Sequence, residues 1–254
     1  MASAQQLERA LKRAVREAGA RPALYKMLMD SEVLVFVEAP GGQVPTIWDT
    51  KIVAWVRRDG VQVIPIFTSS MALRKTKLRG ELTYKVKVRD LFDANREIAF
   101  HVNPGSDAEL QLSVDDVASL LDHDTISYGI SPGRLSGDID LFAMSTELPE
   151  FQLALGVLFA DHSDIEQGYF FEIKQASAVD RSLVIGLVTE GRSKELLHAI
   201  GTVLMDTYRG ELAVDTLYLH AEDQILQALK QASVQPFYDR SWGARLSVSD
   251  AGIQ

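Results

Sequence analysis

Leu7, Leu11, Ala14, Val15 and Ala18 recur at helical spacing and form one apolar stripe, which predicts an amphipathic helix docked on a core. A second helix is expected from Pro22, a residue suited to a first helical turn, through Leu24, Met27 and Leu28. The pattern then shortens to the period of strands. VLVFVEA ends at the turn residues PGGQ, and KIVAWVRRDGVQVIPIFTS reads as two strands around Asp59-Gly60, a dipeptide typical of tight hairpins. SSMALRK suggests a helix capped by Ser69 or Ser70, TYKVKVRDLFD a strand leading into a short helix, and IAFHVNPGS a strand stopped by a Pro-Gly turn. SVDDVASLLDH closes this region as a helix, with Ser113 and Asp116 at capping-box spacing.

The second region repeats the mixture in another order. FQLALGVLFADH predicts a helix, YFFEIK and SLVIGLV strands, RSKELLHAIGTVLMDTY a helix, AVDTLYL a strand and EDQILQALKQAS a last helix ended by Pro236. Between the two regions, SYGISPGRLSGD concentrates Gly, Ser and Pro, which marks a boundary. The expectation is an α+β chain of two small domains, 1–126 and 141–254, joined by a linker at 127–140, each a mixed sheet packed with helices. No fixed-period repeat supports a solenoid.

The 254 residues, 46% hydrophobic and 24% charged, have an ordinary globular composition. The absence of cysteine excludes disulfide scaffolds, thiol nucleophiles and Cys-ligated zinc, and fits a reducing cytoplasm. The amino-terminal segment has no apolar signal core, and the longest apolar runs are far too short to span a bilayer, so no membrane role is expected. Charge changes the picture further. Up to Ile130 the chain has 17 Lys+Arg and 17 Asp+Glu, and beyond it 9 against 18, so the whole net charge of −9 falls in the second half. Within the neutral half, Arg74, Lys75, Lys77, Arg79, Lys85, Lys87 and Arg89 are opposed locally by Glu81 alone, making the molecule electrically lopsided.

Catalytic motifs are missing or fail on inspection. Gly129-Ile130-Ser131-Pro132-Gly133 fits the G-x-S-x-G spacing of a nucleophile elbow, but Pro132 cannot donate the backbone N–H that the oxyanion requires. The five histidines show no zinc-binding spacing, and the acidic surroundings of His123 and His162 read as solvated turns. No phosphate-binding glycine loop occurs. The sequence therefore calls for no catalytic residue, metal or cofactor.

Two binding features remain. Thr68, Ser69 and Ser70, at a strand-to-helix corner followed by Arg74 and Lys75, form a candidate anion or ligand corner, although capping alone accounts for the serines. The alternation Lys85-Val86-Lys87-Val88-Arg89 predicts cations on one strand face and valines on the other. That basic face suits an acidic protein partner; with a pI near 5.1, nucleic acid is not expected. Phe237 and Tyr238, paired after the last helix, either pack the tail onto the core or mark a docking site.

The order of these strings resembles the bacterial SseB family, named for enhanced serine sensitivity. VLVFVEA, VIPIFTSSMAL, VNPGS and LSVDDVASLL are similar to that family's N-terminal domain, carried best by Phe67, Thr68, Ser69, Asn103, Pro104 and Gly105. YFFEIK, SLVIGLV, RSKELLHAIG, AVDTLYL and PFYD resemble its C-terminal domain. The resemblance implies a bacterial cytoplasmic protein linked to serine sensitivity and transfers no catalytic residues. The leading expectation is a non-enzymatic interaction or regulatory protein using Lys85, Lys87, Arg89, Phe237 and Tyr238. The alternatives are an immunity protein whose acidic half covers a basic toxin, and a small-ligand sensor binding an amino acid beside Ser69 and Ser70.

Overall fold

The computed structural model describes residues 3–38, 51–76, 82–122, 139–175 and 180–242. The Gly129–Gly133 string, His123 and most of the expected linker lie outside these residues. The chain divides into two compact units, 1–126 and 127–254.

In the first unit, α1 (Ala4–Arg16) opens with a true capping box: Gln6 N–H donates to Ser3 Oγ, and Ser3 N–H donates back to Gln6 Oε1. The stripe Leu7, Leu11 and Ala14 is buried. A 3-10 turn at Ala18–Ala20 leads into α2 (Arg21–Met29), with Pro22 in its first turn as expected. Strand β1 (Glu32–Glu38) is the hub of the sheet. It pairs antiparallel with β2 (Lys51–Ile52), β4 (Gln62–Phe67) and β5 (Leu82–Lys87). The segment expected as one strand from Lys51 is broken, because Val53 N–H bonds Phe36 while β3 (Trp55–Val56) turns to pair with β4 around Asp59-Gly60.

After β4 the chain enters the short helix α3 (Ser70–Lys75), and after β5 it enters α4 (Val88–Ala94). Strand β6 (Ala99–Val102) runs parallel to β4, and β7 (Leu110–Leu112), not foreseen in the sequence, returns antiparallel to β6. α5 (Val114–Leu121) begins with the Ser113–Asp116 capping box. Because β4 and β6 point the same way, their carboxyl ends, at Phe67 and Val102, lie side by side. Two loops therefore emerge at one place.

The second unit opens with β8 (Ile139–Phe142), which begins inside the expected linker. Its sheet follows the order β11-β10-β9-β12, with β9 (Ile165–Gln175), β10 (Ser182–Thr189), β11 (Ala213–Leu219) and β12 (Tyr238–Asp239); β8 also pairs with β9. β10 and β11 are parallel, linked through α7 (Lys194–Thr207). α8 (Gln224–Gln231) packs Leu226 and Leu229 with Phe171 and Val184 on one sheet face. α6 (Pro149–Ala160) stacks Phe151 on Phe170 at 5.4 Å on the other. Helices on both faces explain why β9 and β10 read as continuous apolar runs rather than alternating ones. Both units are mixed sheets with helices, an α+β architecture. Among the described residues, no helix is long and apolar enough to cross a membrane.

Candidate functional site

The ends of β4 and β6 are locked together by one buried side chain. Asn103, 3% exposed, donates its backbone N–H to the Ile66 carbonyl at 2.8 Å, and its Oδ1 accepts from Thr68 N–H at 2.9 Å. Its amide nitrogen donates to Thr68 Oγ1 at 2.8 Å. Asparagine tolerates the left-handed backbone found here, with φ of 49°. Pro104-Gly105 then completes a turn closed by Ser106 N–H on Asn103 O, with Gly105 at φ of 76°, a conformation that favours glycine.

On the other loop, Ser69 is the N-cap of α3 and accepts from Ala72 N–H at 3.1 Å. Its hydroxyl donates to Glu8 Oε1 on α1 at 2.5 Å, which ties that helix to the corner. Thr68 and Ser69 are thus engaged with protein groups, and Ser70 stays exposed. Beside them, α1, α3 and the loop after β6 line an open cavity of about 90 Å³. Its lining includes Glu8 and Lys12, Met71 and Lys75, and Ser106 and Asp107. These residues lie up to 99 positions apart in sequence, so no local motif could have announced them.

The basic strand face differs from its expectation in one respect. Arg89 is not on the strand: Lys87 serves as N-cap, and α4 starts at Val88, with Asp90 in its first turn where the helix dipole favours a carboxylate. Val88 is buried at 0% exposure, as the alternation predicts, and its N–H still donates to Ser31 O, but the backbone turns helical from Val88 onward. Lys85 and Lys87 remain on the exposed face of β5. Lys85 Nζ lies 2.5 Å from Glu32 Oε2 on β1, whereas Lys87 and Arg89 have no counter-charge among the described residues. β5 pairs with β1 alone among the described strands.

On β6, separated from β5 by β1 and β4, His101 Nε2 stands 3.5 Å from Glu109 Oε2, which also accepts from Gly105 N–H at 2.8 Å. Burial holds the imidazole below its ordinary pKa, against the opposing pull of Glu109. Among the described residues, no cluster of three or more His, Asp or Glu side chains could hold a metal.

In the second unit, Phe237 stacks on Phe170 with centroids 4.3 Å apart, and Tyr238 meets Phe159 edge-on at 5.7 Å while its hydroxyl donates to Phe159 O. Both aromatics are half-buried, so they fasten the tail to the sheet. Sequence reasoning missed Glu172, a carboxylate 2% exposed on β9. It accepts from the Ser145 amide at 2.8 Å, the Ser145 hydroxyl at 2.5 Å and Arg181 at 3.1 Å. Its position amid the apolar residues of YFFEIK was the available signal.

Residues 7–119 match the family model for the SseB protein N-terminal domain, and residues 136–240 the model for the SseB protein C-terminal domain. Protein SseB of Escherichia coli (strain K12) and Protein SseB of Shigella flexneri are each 25% identical over 245 residues, covering 95% of this chain and 94% of theirs. No solved structure matches the chain.

Proposed function

The chain belongs to the SseB family, and from that premise we propose that it is a non-catalytic interaction and regulatory protein of the bacterial cytoplasm, linked to serine sensitivity and binding an acidic protein partner. The observation that carries this reading is the pair Lys87 and Arg89. They stand at the junction of β5 and α4, without a counter-charge among the described residues, in a half of the chain where acids and bases are equal in number. Their neighbour Lys85 shows the contrast, since Glu32 already neutralises it. Exposed cations left unpaired at a strand edge also discourage non-specific edge pairing, so the functional reading needs a direct test.

Cations at a rim act mainly on association rate and its salt dependence. The tagged full chain, used to capture partners from its own cell extract at low and moderate salt, is expected to retain one stoichiometric acidic protein that is released as salt rises. Lys87→Glu with Arg89→Glu should abolish that capture. A partner retained by the double variant with unchanged affinity and salt dependence would refute the assignment of this surface.

A further inference from the structure

The cavity at the carboxyl ends of β4 and β6 combines two features that bear on a ligand. First, it brings charges of both signs to one small space: Lys12 and Lys75 together with Glu8 and Asp107. Among the described residues, Lys12, Lys75 and Asp107 make no ion pair, and Glu8 is engaged only through the Ser69 hydroxyl. Second, it lies beyond the carboxyl ends of β4 and β6, a parallel pair from which two loops emerge side by side.

A cavity lined by cations alone would select an anion, and one lined by acids alone a cation. Both signs around one space are complementary to a molecule that carries both. Size narrows the class. The volume of about 90 Å³ is well below the roughly 300–1,000 Å³ of sites for drug-sized molecules, which suits a ligand with a short body. The floor is apolar, formed by the buried Leu11, Ala72 and Ala108.

We propose that this cavity binds a small α-amino acid as its zwitterion. The ligand carboxylate faces Lys12 and Lys75, its ammonium faces Asp107 and Glu8, and its short side chain meets the apolar floor. This site is separate from the Lys87–Arg89 surface, and either assignment can fail without the other.

The test is calorimetric titration of the full chain with glycine and with L-alanine, beside acetate and ethylamine as singly charged halves and L-tryptophan as an oversized analogue. Glycine or L-alanine should bind saturably, at least about tenfold tighter than either half and than tryptophan. Lys75→Ala and Asp107→Asn, both at exposed positions outside any ion pair among the described residues, should each weaken binding about tenfold or more with the melting temperature of the free protein unchanged. Lys87→Glu should leave it unaltered. Absence of saturable binding by glycine and L-alanine, acetate or ethylamine binding as tightly as the amino acid, or unchanged binding in both cavity variants would each overturn the proposal.

Discussion

The Ser69 hydroxyl donates to Glu8 Oε1 at 2.5 Å across 61 residues of sequence, while the same oxygen accepts from Ala72 N–H to cap α3. One serine therefore serves a local task and a distant one. Ser69→Ala should cost about 1–2 kcal/mol, the upper part of the usual range for a lost cap. Glu8→Gln should cost less, because an amide still offers an acceptor to the hydroxyl. A double-mutant cycle read by urea unfolding should give a coupling near 1 kcal/mol. Strict additivity would mean that the Ser69–Glu8 bond contributes nothing to the link between the two helices.

Asn103 joins the two loops in the same way but from a buried position, and its loss should be felt more. Asn103→Ala removes both side-chain bonds to Thr68 and places a side chain that cannot compensate at φ of 49°. The expected cost is about 2–3 kcal/mol. Asn103→Gly relieves the backbone conformation and should recover part of it, so a smaller loss for glycine than for alanine in urea midpoints separates backbone strain from the hydrogen bonds.

Much of this corner was legible beforehand. The hydrophobic period placed the ends of both strands, Ser69 stood at capping distance from a helix, and Asn103-Pro104-Gly105 announced a turn. The cavity was not legible, because Glu8, Lys75 and Asp107 meet only after β4 and β6 pair in parallel, and parallel pairing leaves no signature within either strand. Arg89 was misplaced for a related reason. A run with period two continues on paper through Val88 to Arg89 and buries Val88 either way, whereas the chain turns helical at Val88 with the acid Asp90 in the first turn. In the second unit, Phe237 and Tyr238 read first as packing for the tail, with a docking site as the alternative, and Phe170 and Phe159 stand against them.

Glu172 makes acid stability a further test. Burial pushes its carboxyl upward, but the Ser145 hydroxyl and amide and the Arg181 guanidinium outweigh that and hold it below the ordinary value of 4.5. A depressed folded pKa contributes stability that is fully present above the unfolded value near 4.5 and is lost as pH falls through the folded one. Glu172→Gln should thus destabilise the protein at pH 7 by about 1–3 kcal/mol, and by progressively less below pH 4.5. Urea unfolding at several pH values checks this. A constant difference between the two proteins across that range would show that Glu172 does not titrate differently on folding.

Gly168 allows the aromatic cluster to close. A Cβ added there would lie 2.9 Å from the Phe159 ring and 3.0 Å from the Phe237 ring. Both rings are held by neighbours, Phe159 by Tyr238 and Phe237 by Phe170. Gly168→Ala should therefore destabilise by about 1–3 kcal/mol through overpacking, and Phe237→Ala by about 2 kcal/mol through lost burial, less than for a fully buried ring. In the double variant the new methyl group finds the space vacated by Phe237, so the two losses should sum to less than their separate values. Additive losses would place the strain of the new methyl group on Phe159 alone.

Arg240 fixes the chain beyond this cluster. Its guanidinium donates to the carbonyls of Ile165 at 2.9 Å, Phe159 at 3.4 Å and His162, while its backbone N–H donates to Glu166 O at 2.9 Å. Phe159 belongs to the last turn of α6, where carbonyls point outward and a cation meets the negative end of the helix dipole. The planar fork is needed because three acceptors lie in different directions, and an ammonium on a flexible stem serves fewer of them at once. Arg240→Ala should cost about 2–3 kcal/mol, combining the charged hydrogen bonds with the dipole interaction. Arg240→Lys should recover less than half, because it restores the charge without the fork. Hydrogen exchange at Phe237, Asp239 and Arg240 should accelerate in both variants while α8 remains protected. Full recovery by lysine would instead assign the effect of Arg240 to its charge alone.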